Sequence, residues 1–87
     1  MASIQVHLST MSDEMQREAL QCALLAVNMY NNGKDICNYI YQEFQRKHGS
    51  TWHCIVGNTE SYLVGSEDDF FIDFSVGNRK IVLFHTA

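Results

Sequence analysis

The stretch Thr51-Trp52-His53-Cys54-Ile55-Val56-Gly57 (TWHCIVG) is where the hydrophobic period of this 87-residue chain changes. From Met15 to Phe44 apolar residues recur every three to four positions; from Thr51 onward they alternate, the spacing of strands. The same stretch sets a histidine beside a cysteine, the pair from which thiol catalysis or a zinc site is made. Nucleophilic thiol chemistry requires the sulfur within hydrogen-bond reach of the imidazole, with a third group orienting the base. Neighbouring side chains of a strand point to opposite faces, so His53 and Cys54 do not share a pocket. The pattern predicts a strand over Thr51 to Val56.

Upstream, Ile4, Val6 and Leu8 alternate with Gln5, His7 and Ser9, which predicts a short strand with one buried face. Ser12 is a good N-cap, and Asp13 and Glu14 place negative charge where a helix dipole favours it. Met15, Ala19, Cys22, Ala23, Ala26, Val27 and Tyr30 then form one stripe. Leu20, Leu24 and Met29 lie off it, as expected of a helix covered by both a sheet and a second helix. Asn31-Asn32-Gly33 stops that helix. Asp35 is placed to cap the next, which carries Ile36, Ile40 and Phe44 at i, i+4 and i+8 and ends in Arg46, Lys47 and His48 before Gly49. Downstream of Val56, strands are expected over Ser61 to Val64, Phe70 to Val76 and Arg79 to Phe84, with Gly77-Asn78 as a two-residue hairpin turn. The layout is α+β: one N-terminal strand, a two-helix hairpin, then four antiparallel strands.

A chain this short buries only ~60% of its unfolded surface, so a partner that adds to its core is expected. Hydrophobic residues are 46% and charged residues 18% of the chain, the composition of a globular domain. A net charge of -4 without any basic run argues against a nucleic-acid surface or an anionic-membrane patch. No apolar run approaches the length of a membrane span, and the first residues lack the pattern of a secretory signal. Cys22, Cys37 and Cys54 are widely spaced without a C-x-x-C pair, and read as small buried hydrophobes rather than disulfide or zinc residues. Glu67, Asp68 and Asp69 form an acidic turn without the alternating ligands of a calcium loop. No phosphate loop, nucleophile elbow or paired-carboxylate motif is present. These absences point away from an enzyme and from any cofactor or metal.

The later strands are unusual in being apolar on both faces. Phe70, Ile72, Phe74 and Val76 form one row, with Phe71, Asp73 and Ser75 opposite. Helices cover only one face of such a sheet. A second chain, or an extended peptide, is expected on the other face and edge.

Met11 to Gln16, Gly33 to Ile36, TWHCIVG, Ser61-Tyr62 and Ile81 to Phe84, in this order and spacing, resemble the eight-kilodalton cytoplasmic dynein light chains over nearly the whole chain. The resemblance implies a single light chain domain over residues 1–87 and a homodimer in which the strand holding Ser61-Tyr62 crosses to the partner's sheet. It implies a cytoplasmic, microtubule-associated hub that binds extended client segments, among them the dynein intermediate chain, as added strands. Ser61, Tyr62, Leu63 and Val64 would be the client-facing strand. Phe71, Asp73 and Ser75 would line the groove floor, and Gly33, Lys34 and Asp35 would receive a client glutamine. His53 would join Ser61 and Tyr62 in the dimer interface. Protonation of an interface imidazole favours monomers, so the dimer would be present above the ordinary histidine range of roughly 6.5 and lost as pH falls through it.

Several positions depart from the family. Where its members usually read Gly-Arg-Asn-Phe-Gly-Ser-Tyr, this chain has Gly57-Asn58-Thr59-Glu60-Ser61-Tyr62, one residue shorter and without the aromatic that helps to wall the groove. Val64-Gly65 replaces a threonine-histidine pair, and an extra residue lengthens the acidic turn. Asp73 and Ser75 stand where two floor tyrosines are usual. These changes suit a groove that prefers Lys or Arg in the bound strand. They also suit a specialised axonemal or membrane-associated light chain that has left the usual threonine-glutamine-threonine motif.

Overall fold

The structure is a computed structural model and describes residues 3–49, 51–57 and 71–85. Its elements are β1 (Ile4–Ser9), α1 (Asp13–Met29), α2 (Gly33–His48), β2 (Trp52–Val56), β3 (Phe71–Val76) and β4 (Arg79–His85). They form one four-stranded sheet in the order β1-β3-β4-β2, with every pair antiparallel. The expected strand over Ser61 to Val64, the turn Asn58 to Glu60, the acidic turn Gly65 to Asp69 and Phe70 lie outside the described residues. Among the described residues no helix is long and apolar enough to cross a membrane.

Both helices pack on one face of this sheet. Ser12 caps α1 by accepting from the Met15 N–H at 3.2 Å. Ala19, Ala23 and Ala26 make its most buried line, small enough to bring the α1 backbone close to α2 and β3. The stripe of α2 meets β2 through Ile36, Ile40 and Phe44, all essentially inaccessible. Phe44 lies edge-on to Trp52, with ring centroids 4.9 Å apart. Ile72, Phe74, Ile81 and Leu83 complete the core from the sheet. The β3–β4 hairpin turns through Gly77-Asn78 as the sequence predicts, and Gly77 holds φ 62°, a value that favours glycine.

Four expectations are corrected. The cap of α2 is Asn32, not Asp35: the Asn32 side chain accepts from the Asp35 N–H and donates to the Asp35 carboxylate, both at 2.9 Å. Asp35 sits inside the first turn, where a carboxylate completes a reciprocal cap. Asn32→Ala is therefore expected to cost about 1 kcal/mol, read as a lower urea midpoint; an unchanged midpoint would show the cap to be idle.

The second correction concerns β1. Ile4, Val6 and Leu8 are exposed at 39%, 37% and 59%. A bulge between Val6 and Leu8 breaks their alternation: Ile4 and Val6 pair with Val76 and Phe74, whereas Leu8 pairs with Asp73 on the opposite face. As an edge strand, β1 meets α1 only across an open cleft lined by Ile4, Leu20 and Leu24. Third, Met29 is 51% exposed and Tyr30 follows the helix end, so α1 is buried on fewer sides near its C-terminus than its pattern suggests. Fourth, the three cysteines are half-buried, not fully enclosed.

Candidate peptide-binding edge and face

The face of the sheet turned away from the helices gathers several of the expected site residues. Alternation puts Phe71, Asp73 and Ser75 of β3 there, and the β3–β4 register sets Phe84, Val82 and Lys80 beside them in turn. His53 lies on the same face, opposite Phe84 in the β2–β4 register and stacked on it with centroids 5.2 Å apart and planes 27° from parallel. Cys54 points the other way, against the helix-side core. The His-Cys couple is thus split between two faces, as period two requires.

Asp73 brings a carboxylate to this face. Its Oδ2 lies 3.9 Å from the Lys80 ammonium, while its Oδ1 is buried with no hydrogen-bond partner among the described residues. A buried acceptor without a donor costs about 1–3 kcal/mol. Ser75 is engaged through its Oγ with His7 Nε2 at 2.8 Å. His7 and Lys80 were not among the residues expected at the site. The signal for Lys80 lay in its alternation with Ile81; His7 follows from its place beside Gln5, opposite Ser75 in the register.

The backbone of β2 provides an edge. Gly57 N–H donates to Lys80 O at 2.9 Å, which fixes the phase of the β2–β4 ladder. In an antiparallel pair alternate residues turn their backbone groups to the partner. His53 and Ile55 therefore face β4, whereas Trp52, Cys54 and Val56 direct N–H and C=O outward. Among the described residues no strand pairs with that outward edge. A cleft of about 350 Å³ runs along it, lined by Cys37 and Tyr41 of α2 and by Trp52, His53, Cys54 and Phe84.

The start of α2 closes one end of the edge. A Cβ on Gly33 would touch the Val56 side chain at 3.4 Å, so Gly33 is packed on the last residue of β2. Asp35 N–H is already taken by Asn32. The N–H groups of Gly33 and Lys34 have no acceptor among the described residues and are the donors that a side-chain amide oxygen would meet. The structure thus brings Gly33 to β2 and sets Phe71, Asp73, Ser75 and His53 on the helix-free face. Ser61, Tyr62, Leu63 and Val64 lie outside the described residues. No group of three or more His, Cys, Asp or Glu able to hold a metal occurs among the described residues.

The architecture and the sequence both find close matches among known proteins. The family model described as dynein light chain type 1 matches residues 3–86. A cytoplasmic dynein light chain of Emericella nidulans is 42% identical over 82 residues, 94% of this chain and 87% of that protein. The dynein light chain-like domain of a Fasciola hepatica calcium-binding protein superposes with a TM-score of 0.87 at 21% identity, covering 99% of this chain and 93% of that one. The DLC-like domain of CsTAL3 gives 0.78 at 15% identity over 95% and 92% of the two chains. These two structures agree in fold, and the residue-level kinship rests on the fungal relative and the family model. The chain belongs to the dynein light chain family.

Proposed function

We propose that this protein is a non-enzymatic dimeric hub and dynein motor light chain, working in the cytoplasm on microtubules. Two copies exchange the strand holding Ser61 and Tyr62, and each resulting groove takes an extended client segment by strand addition. The observation that carries this reading is the outward edge of β2, a row of backbone groups without a neighbouring strand among the described residues, to which the partner's exchanged strand would add. It lies beside a helix N-terminus with two open donors. Main-chain hydrogen bonds then supply affinity that tolerates sequence, and side-chain pockets supply preference. Segments of the dynein intermediate chain and other disordered client proteins fit this mode. Bivalent clients gain from effective concentration without new contacts.

A second reading is favoured by Asp73. With a carboxylate at Asp73 on the helix-free face, its Oδ1 unpaired among the described residues, the groove prefers a client strand bearing Lys or Arg over the usual threonine-glutamine-threonine segment, as in a specialised axonemal or membrane-associated light chain. The two readings share a dimer and differ in clients. Sedimentation at micromolar concentration should show a dimer, and titration with a threonine-glutamine-threonine peptide, with and without a flanking Lys, should show binding. Tighter binding of the Lys peptide, lost in Asp73→Asn, selects the second reading. A monomer that binds neither peptide would remove both.

A further inference from the structure

Cys37 and Cys54 belong to different elements, yet they meet at the edge of β2. The Cys37 thiol donates to the Cys54 carbonyl at 3.3 Å. That bond sets the Cys37 sulfur directly against the residue that carries the second thiol. In the single chain both residues line the open cleft along β2, where a small reagent reaches them from solvent. Cys22, the remaining cysteine, is absent from that cleft.

We propose that Cys37 and Cys54 form an oxidative modification site, closing to an intrachain disulfide on exposure to hydrogen peroxide. The Cys37 thiolate attacks one peroxide oxygen; the O–O bond breaks, hydroxide leaves, and Cys37 becomes a sulfenic acid. The Cys54 sulfur then attacks the Cys37 sulfur. An S–S bond forms, the S–O bond breaks and water leaves. Two thiols and one peroxide give one disulfide and two waters.

The division of roles follows from the surroundings. The hydrogen bond from Cys54 and the Val56 N–H stabilise charge on the Cys37 sulfur and hold its pKa below the ordinary thiol value, although burial opposes them. Cys54 is pushed well above that value, by its hydrogen bond to Cys37 first and by burial second. Cys37 is therefore the sulfur that attacks, and Cys54 the one that resolves. At Cys22 burial, then the Glu43 carboxylate, push the pKa up from 9.0 to about 11, which leaves it about a hundredfold less thiolate than an ordinary cysteine near neutral pH.

The test uses the full chain. Trypsin separates the three cysteines, since cleavage after Arg17, Lys34, Arg46 and Arg79 leaves each on its own peptide. After mild peroxide and alkylation of remaining thiols, mass spectrometry is expected to find the Cys37 and Cys54 peptides joined, two hydrogens lighter, in a protein that still migrates as a single chain without reductant. Dithiothreitol should reverse the link, Cys22→Ala should retain it, and Cys37→Ala should abolish it. The bridge closes a loop of 16 intervening residues and should raise the Tm by roughly 10 °C. The proposal is overturned if both thiols stay alkylatable, if Cys37 runs on to sulfinic acid without a link, or if links form between chains or to Cys22. A fall in Tm on linking would also count against it, because the pair would then not be held ready to join. Wild-type mapping decides the matter even if a variant folds poorly, and none of these readouts depends on peptide binding.

Discussion

Phe44→Ala is expected to cost about 3–5 kcal/mol, a large share of the roughly 5–15 kcal/mol that holds a small domain together. Phe44 is 1% exposed and is the last member of the Ile36, Ile40, Phe44 stripe that fixes α2 to the sheet. Its ring lies edge-on to Trp52 at 4.9 Å and beside the His48 imidazole at 5.1 Å. Truncation leaves a cavity that the surrounding Ile40 and Trp52 fill only in part. It also loosens the end of α2 that His48 ties to Glu18 of α1 at 2.6 Å. Trp52 is the only tryptophan of the chain, so its fluorescence reports the loss directly. In urea the midpoint should fall by one to several molar at slopes of about 1–3 kcal/mol/M, measured at one protein concentration because dimers gain stability by mass action. A midpoint within a few tenths of molar of wild type would mean that Phe44 does not anchor α2.

The second large effect is expected at the proposed interface. In the single chain His53 is exposed and stacked on Phe84, so a second chain must supply whatever buries it in the dimer. His53→Lys would carry a fixed ammonium into that interface twice, once per copy. Desolvating each charge costs several kcal/mol, and every 1.4 kcal/mol is tenfold in affinity. The dimer dissociation constant should rise by about three orders of magnitude or more, and sedimentation at neutral pH should show monomers. The folded monomer should persist, with a Trp52 urea transition that becomes independent of concentration. A His53→Lys chain that stays dimeric at neutral pH would place the interface elsewhere.

The parts of the fold that were legible in the sequence depend on local spacing. Ile36, Ile40 and Phe44 could face inward only on a helix, and Ile72, Phe74 and Val76 only on a strand, so the elements and their buried rows followed from period alone. Ser12 and Gly77-Asn78 act within a few residues of themselves and were equally plain. The bulge in β1 was not, because an inserted residue is defined by the partner strand: only the pairing with β3 moves Leu8 off the face of Ile4 and Val6. Asn32 and Asp35 share one reciprocal cap, and composition does not say which of the two begins the helix.

The candidate site divides in the same way. His53 with Phe71, Asp73 and Ser75 came together on one face because alternation and antiparallel pairing leave no other choice. The nearness of Lys80 to Asp73 and of Cys37 to Cys54 depends on register and on how α2 lies across β2. Neither is written in spacing. Cys37 follows Ile36 in sequence and falls on the flank of its stripe, which reads as nothing in particular until β2 passes beside it.

The thiol of Cys37 has a further consequence for how such a chain survives before it meets a partner. An unpaired strand edge adheres to any other strand, and proteins commonly blunt theirs. Here the blunting is done by a weak donor set on the Cys54 carbonyl, at the point where an arriving strand would place its own N–H. A proline or a buried charge would close the edge for good. A thiol instead acts as a removable stopper: strong enough to discourage casual sticking, and weak enough for a full ladder of main-chain bonds to displace.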